Sequence, residues 1–117
     1  MVRHEVKLVT IASGARTSSE IELPLGQQIV AIELDGAITN TSFSLEGSTH
    51  DSSGVRVWNR LNDVGTTDDY VVTADGAGIF PLKLEVSLAI FERVRLYGVT
   101  GNEAADRTIR VYIRTLS

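Results

Sequence analysis

Few residues of this chain are of the types that act as acids, bases or nucleophiles. The chain has two histidines and no cysteine, which excludes thiolate nucleophiles and cysteine-ligated zinc. One histidine, His50, stands in the segment STHDSSG beside Ser48 and Asp51. These are the residue types of a Ser-His-Asp triad, but such triads draw their members from separate elements that hold them rigidly. The chain also has no Gly-x-Ser-x-Gly elbow, so we interpret this segment as a polar turn.

Metal, carbohydrate and phosphate sites also have weak support in the sequence. Several carboxylates are close together, but their spacing does not match the calcium loop of an EF-hand; they are Asp63, Asp68, Asp69 and Asp75. Aromatic residues make up 6% of the chain, and Trp58 is its single tryptophan, which leaves little material for a carbohydrate platform. The glycine-containing loops lack the Lys-Ser/Thr ending of a phosphate-binding loop. The sequence therefore predicts no catalytic residue, no metal site and no cofactor.

The composition is typical of one globular domain that needs no cross-links. A length of 117 residues fits a single domain, 1–117, and buries enough surface to fold without disulfides or metals. The N-terminal segment MVRHEVKLVT is too charged for a signal peptide, and no run reaches the ~20 apolar residues of a membrane helix. The net charge of −4 argues against a general nucleic-acid binder. We therefore expect neither a membrane nor a nucleic acid as a direct partner.

Short alternating segments predict an all-β protein. Stretches in which apolar and polar residues alternate recur about every ten residues, with turns rich in Gly, Ser, Asn and Asp between them. This spacing predicts an antiparallel, jelly-roll-like β-sandwich of about eight short strands. Pro81 indicates an edge strand or a bend, because proline cannot donate a ladder hydrogen bond. The one exception to the strand pattern is a short helical turn near 84–92, where Leu84, Leu88 and Phe91 could share one side.

The alternation also predicts which side chains share a face. Val6 and Leu8 share one side of the first strand, and Phe43 and Leu45 are expected to face the core. Trp58 lies on one side of its strand with two arginines, Arg56 and Arg60, while Val55 and Val57 lie on the other. In the last strand Ile109, Val111 and Ile113 are predicted to be buried, which leaves a second face made of Arg110, Tyr112 and Arg114.

That second face belongs to a part of the chain with an excess of arginine. Between 93 and 117 the acidic residues are Glu103 and Asp106, whereas the arginines are Arg93, Arg95, Arg107, Arg110 and Arg114. Arginine suits a protein interface, because its planar guanidinium pairs bidentately with carboxylates of a neighbour. The alternative is that outward strand faces carry charge for solubility alone. We predict an interface formed by Trp58, Arg107, Arg110, Tyr112 and Arg114.

The order of segments along the chain resembles a known family. The turn TIASG is followed by IVAIEL, SFSLEGS, VWNRLND and TADGAGIFPL, and then by RVRLYGVTGNEAADRTIRVYIR. In this order the chain resembles small structural proteins of tailed bacteriophages, which open near an I-A-S-G turn and end with N-Q-A-A-D-R-T-I-x-L. The resemblance is sharpest from Asn102 to Ile109, where Glu103 stands in place of the glutamine. Ile38, in the loop DGAITN, stands where an aromatic residue is expected.

The resemblance implies a protein of the phage particle, made in the host cytoplasm and located on the capsid surface. Small β-sandwich proteins of this size commonly decorate capsids, so we expect a capsid decoration or cement protein bound between subunits of the major capsid protein. We expect a homo-oligomer, with a trimer favoured, and no enzymatic activity. The alternative is a carbohydrate- or receptor-binding module of a phage tail or head fibre, which would require Trp58 and nearby tyrosines to be exposed.

Overall fold

The structure is a computed structural model that describes residues 2–24, 26–36, 38–50, 52–62, 67–82 and 93–116. Those residues form nine β-strands and no helix, which confirms the all-β prediction with one strand more than expected. The helical turn predicted near 84–92 lies outside the described residues. The strands are β1 (Val2–Ile11), β2 (Ile21–Glu22), β3 (Gln27–Leu34), β4 (Ser42–His50), β5 (Arg56–Arg60), β6 (Val71–Thr73), β7 (Gly78–Pro81), β8 (Arg93–Gly98) and β9 (Arg107–Leu116).

The strands form two antiparallel sheets. The first sheet has the order β1-β9-β3-β7, and the second has the order β2-β8-β4-β5 with β6 also paired to β4. Chain-adjacent strands mostly belong to different sheets, and this order is the arrangement of a jelly roll. Pro81 ends β7, which is an edge strand of the first sheet, as predicted from its missing N–H donor.

The inner faces of the two sheets share one hydrophobic core. Phe43 and Leu45 of β4 are completely buried, and so are the alternate residues Ile109, Val111 and Ile113 of β9, as the alternation predicts. The same cluster contains Val9 and Ile11 from β1, Ile29, Ile32 and Leu34 from β3, and Val94 and Leu96 from β8. Burial of these side chains supplies the main favourable free energy of folding, about 1.5–3 kcal/mol for each.

The first strand uses its apolar residues differently from what simple alternation suggests. Val9 and Ile11 face the core, whereas Val6 and Leu8 lie on the opposite side of β1 and are 47% and 66% exposed. Apolar residues occupy both sides of this strand, so its inner side is set by pairing with β9, where Val9 lies opposite Ile109. Two large apolar side chains of β1 are therefore left in solvent.

The central strand of the second sheet is buried on both of its sides. Every residue from Phe43 to Ser48 is buried, although the alternate residues Ser44, Glu46 and Ser48 point away from the core. Larger side chains of the neighbouring strands cover these three, because β4 lies between β8 and β5. The second sheet thus carries an additional polar layer on its outer face.

Candidate functional site

The predicted interface residues occupy three different places. Arg110, Tyr112 and Arg114 lie together on the outer face of the first sheet. Trp58 lies on the outer face of the second sheet, on the opposite side of the core. Arg107 shares the inner side of β9 with Ile109 and contacts a buried carboxylate. The five residues predicted to form an interface therefore lie on two separate outer faces and at one internal contact.

On the outer face of the first sheet, three side chains of β9 bind polar side chains of β3 and of the residue that follows β3. The Tyr112 hydroxyl donates to Glu33 Oε1 over 2.7 Å, and Arg114 Nη2 donates to Gln28 Oε1 over 3.1 Å. Arg110 forms an ion pair with Asp35. We call these three pairs the polar row. They orient side chains that would otherwise sample many rotamers, so a partner would meet an ordered surface.

The polar row also changes the protonation equilibria of its members. The hydrogen bond to Glu33 raises the pKa of Tyr112, and the hydrogen bond to Asp35 raises the pKa of Arg110. Both shifts favour the protonated donor. The tyrosine therefore remains a neutral donor and the arginine remains a cation at neutral pH.

Exposed apolar side chains lie on either side of the polar row. On β1, Val6 lies opposite Tyr112 and Leu8 lies opposite Arg110. On β7, Ile79 lies opposite Glu33 and is 58% exposed. Exposed large apolar side chains that lie on one face are typical of binding surfaces. The first-sheet outer face thus combines apolar contact area with an ordered row of charged and hydrogen-bonding groups.

The outer face of the second sheet is an arginine-aromatic layer. The Arg95 guanidinium lies over the Trp58 ring, 4.3 Å from its centroid. Its Nε also donates to Glu46 Oε1 over 2.7 Å. Glu46 is buried, so its carboxylate needs charge compensation, which comes mainly from Arg95 and, at 4.0 Å, also from Arg60. Trp58 is half-buried, and Arg95 covers one face of its indole.

Tyr97 organises the other half of this layer. Arg16 and Arg60 both lie over its ring, at 4.4 Å and 4.0 Å from the centroid. Arg60 also donates to Asp69 over 3.1 Å, which raises the pKa of Arg60. Arg16 donates to the carbonyl oxygen of Gly98 over 2.8 Å. The cations of this layer are held by aromatic rings and by acceptors of the same chain.

The segment around His50 does not assemble a triad among the described residues. His50 is exposed at the end of β4. Ser48 is buried, and its hydroxyl accepts a hydrogen bond from Arg56 Nη1 over 2.6 Å. Asp51 lies outside the described residues. Ser48 is therefore part of the covered polar layer and is not presented as an exposed nucleophile.

The contact made by Arg107 is the most buried ion pair of the described residues. The Glu103 side chain is 0% exposed and Arg107 Nε donates to its Oε1 over 3.1 Å. The same oxygen accepts from the Thr39 N–H over 2.8 Å. The other oxygen accepts from the Asn40 N–H over 2.9 Å and also from the Asn40 side-chain amide. We call this group the Glu103 cluster, and it connects the loop before β4 to the loop before β9.

The Glu103 cluster sets the protonation state of its own carboxylate. Burial of Glu103 raises its pKa, but the hydrogen bonds from Thr39, Asn40 and Arg107 together lower it by more. The pKa therefore lies below its usual value for glutamate, and the carboxylate is charged at neutral pH. Arg107, which we predicted to be an interface residue, thus neutralises an internal charge.

The two segments that carry the phage-protein resemblance bind each other. In the first segment, the Ser13 N–H donates to Asp106 Oδ1 over 2.8 Å, and the Gly14 N–H donates to the Glu103 carbonyl over 2.8 Å. Gly14 has a φ of 81°, a left-handed conformation that favours glycine. The I-A-S-G and N-x-A-A-D-R sequences thus form a single structural joint at one end of the sandwich.

Beside this joint lies a shallow pocket of about 270 Å³. It is lined by residues of the loop after β3, including Ile38, and by Arg107. Ile38 is half-buried and packs against the core. It is the residue that stands where the resemblance predicts an aromatic side chain.

Sequence reasoning missed Glu46, Arg95, Tyr97 and Glu103 as members of specific clusters. An available signal was the alternation of Glu46 with Phe43 and Leu45, which indicates a carboxylate on the outer side of a central strand.

Within the described residues, no group of three or more His, Asp or Glu side chains could hold a metal ion, and no helix is long and apolar enough to cross a membrane. Neither a protein-family model nor a curated protein matches this chain.

Proposed function

We propose that this chain is a structural component of a bacteriophage particle, a capsid decoration protein that binds the major capsid protein and stabilises the head. It works by binding, without catalysis and without a cofactor, and it is located on the capsid surface. The resemblance over nearly the whole chain supports the assignment to a phage particle. The surface through which it binds is argued from the geometry of the first sheet.

The observation that carries the proposal is the outer face of the first sheet. Apolar side chains of β1 and β7 are exposed on both sides of the polar row, whereas three cations on the outer face of the second sheet, Arg16, Arg60 and Arg95, stack on rings of their own chain. An apolar side chain exposed by half or more gains free energy when a partner covers it, about 25 cal/mol for each Å². The first sheet therefore offers the better contact surface.

The polar row provides specificity on this surface. Glu33 and Asp35 fix the positions of Tyr112 and Arg110 before any partner arrives. A partner with complementary charges binds without the entropic cost of ordering these side chains. A partner that places like charges against them is rejected. A capsid lattice presents the same complementary surface many times, so modest single contacts suffice when the protein is oligomeric.

The alternative, a carbohydrate-binding module, requires an open aromatic platform. Trp58 is the aromatic residue best placed for it, but Arg95 stacks on one face of the indole. Tyr97 lies under two guanidinium groups. These contacts favour a structural role for both rings, so we do not extend the proposal to carbohydrate binding.

The proposal is tested by binding purified protein to phage heads that lack it, followed by sedimentation and counting of bound copies. Ile79→Lys places a charge in the apolar part of the first-sheet face and should reduce binding at least tenfold. The matched control is Val71→Lys, because Val71 is 44% exposed but lies on the second sheet. We expect hundreds of wild-type copies per head. A handful of copies, or equal loss with both variants, would contradict the proposal.

A further inference from the structure

The outer edge of β1 carries backbone groups that are available for pairing. β1 is an edge strand of the first sheet. The Thr10 N–H and C=O point away from β9, because they bind the Ser19 hydroxyl and the Ser19 N–H instead. Backbone direction alternates along an antiparallel strand, so His4, Val6 and Leu8 direct their N–H and C=O groups to the same edge. In the part of the chain that the structure describes, no hydrogen bond fills that edge at these three residues.

This edge lacks some of the features that usually prevent edge-to-edge pairing. Natural edge strands are commonly short, bulged or interrupted by proline, yet β1 runs for ten residues and its register with β9 is continuous. Val6 and Leu8 add exposed apolar side chains beside the open backbone groups. Ser19 closes the edge at Thr10, so the open part ends at Leu8.

We propose that a second copy of this chain pairs with β1, antiparallel and centred on Val6, so that the first sheets of two copies become one continuous sheet. In this register Val6 lies opposite Val6 of the second copy, and His4 lies opposite Leu8 on each side of the axis. Those residues point their backbone groups at the edge, so each opposed pair exchanges two hydrogen bonds.

Charge complementarity selects this register over its neighbours. Centring on Val6 places Glu5 opposite Lys7 of the second copy twice, in the non-hydrogen-bonded pairs where side chains approach most closely. Centring on Glu5 would oppose two glutamates, and centring on Lys7 would oppose two lysines. Centring on His4 would leave Leu8, which is 66% exposed, without a partner.

Glu5 and Lys7 remain compatible with this pairing. Glu5 accepts one hydrogen bond from Gln27 Nε2 over 2.7 Å, and Lys7 Nζ donates one to the Glu22 carbonyl over 2.7 Å. A carboxylate has further lone pairs and an ammonium has further protons. Each can therefore form the intermolecular pair while it keeps its contact within the chain.

The pairing fixes how the two copies face a third partner. Directly opposed residues of a sheet place their side chains on the same side, so the twofold axis is normal to the sheet and both outer faces point the same way. The dimer would thus present two polar rows and a continuous apolar strip at its centre. It takes the place of the trimer expected from the resemblance, and it does not depend on the capsid being the partner.

The first experiment measures the mass of the protein in solution. The chain has a mass of 12.7 kDa, and we expect twice that value by light scattering at micromolar concentration. Val6→Pro removes an N–H that points to the free edge and leaves the β9 ladder intact, so it should give a folded monomer. A wild-type monomer, a trimer, or a dimer unaffected by Val6→Pro would overturn the proposal.

The second experiment tests the register by exchanging charges. Glu5→Lys alone opposes lysines across the axis, and Lys7→Glu alone opposes glutamates, so each variant should raise the dissociation constant about tenfold or more. The double variant E5K/K7E should restore the wild-type dimer. A mixture of the two single variants should form a heterodimer by native mass spectrometry, because every opposed pair is then of opposite charge. Absence of this heterodimer would exclude the Val6-centred register even if the protein is dimeric.

Discussion

Replacement of Glu103 by glutamine tests the structural role of the Glu103 cluster, and glutamine is also the residue expected from the phage-protein resemblance. The substitution preserves the side-chain volume but converts one carboxylate oxygen into an NH₂ donor. The oxygen that remains can keep one pair of donors, either Thr39 and Arg107 or the two groups of Asn40. The other two donors then lie against the NH₂ group of the glutamine, which is itself a donor and cannot accept their hydrogen bonds.

Asn40 cannot relieve this conflict by rotating its amide. Its Nδ2 also donates to the Gly101 carbonyl over 2.9 Å, and its Oδ1 accepts from the Gly101 N–H over 3.1 Å. A flip of the amide would therefore break two further hydrogen bonds. Each buried donor left without an acceptor costs about 1–3 kcal/mol, so two of them predict a loss of about 2–4 kcal/mol after partial relaxation.

The assay is urea unfolding of wild type and Glu103→Gln at pH 7, with thermal unfolding as a second probe. For a chain of this length, that loss corresponds to a decrease in Tm of about 10 °C. The control is Glu20→Gln, because Glu20 is 40% exposed and pairs with Arg93 at the surface, where a pair contributes about 0–1 kcal/mol. A Glu103→Gln variant within 0.5 kcal/mol of wild type, roughly the limit for harmless substitutions, would refute the reasoning.

The same pair of proteins predicts a pH dependence. The pKa of Glu103 is lower in the folded chain than its usual value, so the charged carboxylate stabilises the fold above its unfolded pKa of about 4.3. This stabilisation is lost as the pH falls through the lower, folded-state pKa. The difference in unfolding free energy between wild type and Glu103→Gln should therefore decrease below about pH 4. A difference that is constant down to pH 2.5 would contradict the assigned role.

Three further substitutions test other contacts. Gly98→Ala should destabilise the fold, because an added Cβ would clash with the side-chain amide of Asn40. The control Gly36→Ala has nothing within 4 Å of its Cβ and should be near neutral; urea midpoints distinguish the two variants. Arg95→Ala uncovers one face of Trp58 and should shift its fluorescence emission to the red, and an unchanged spectrum would contradict the stacking. Glu46→Ala should cost about 1–3 kcal/mol in the same urea assay, because Arg95 loses its buried acceptor; an unchanged midpoint would contradict that role.

Alternation was sufficient to predict the fold class and much of the core, because a strand with one apolar side has only one way to bury it. It correctly placed Phe43 and Leu45 inside, and it placed Arg110 with Tyr112 on one outer face. It could not orient β1, in which both sides carry apolar residues. The choice between Leu8 and Val9 is made by pairing with β9, which is not a local property of the sequence.

The clusters were harder to predict, because their members are far apart in the chain. Glu103 and Asn40 are separated by 63 positions, and a glutamate in a polar turn gives no local indication that N–H groups of another loop will surround it. The Arg95–Trp58 contact depends on the register of β8 and β5 across β4, which turn residues alone do not determine. Arg107 was grouped with Arg110 and Arg114 because all three belong to the arginine-rich end of the chain. In β9, however, Arg107 lies on the inner side and the other two lie on the outer side.

The central claim is that the protein stabilises a phage head by binding to its surface. It is tested most directly by heating particles that lack the protein, with and without purified wild-type protein added back, and measuring the temperature at which they release DNA. We predict release at a lower temperature from depleted particles and full recovery after addition of wild-type protein, but not of Ile79→Lys. Release at the same temperature with and without the protein would contradict the claim.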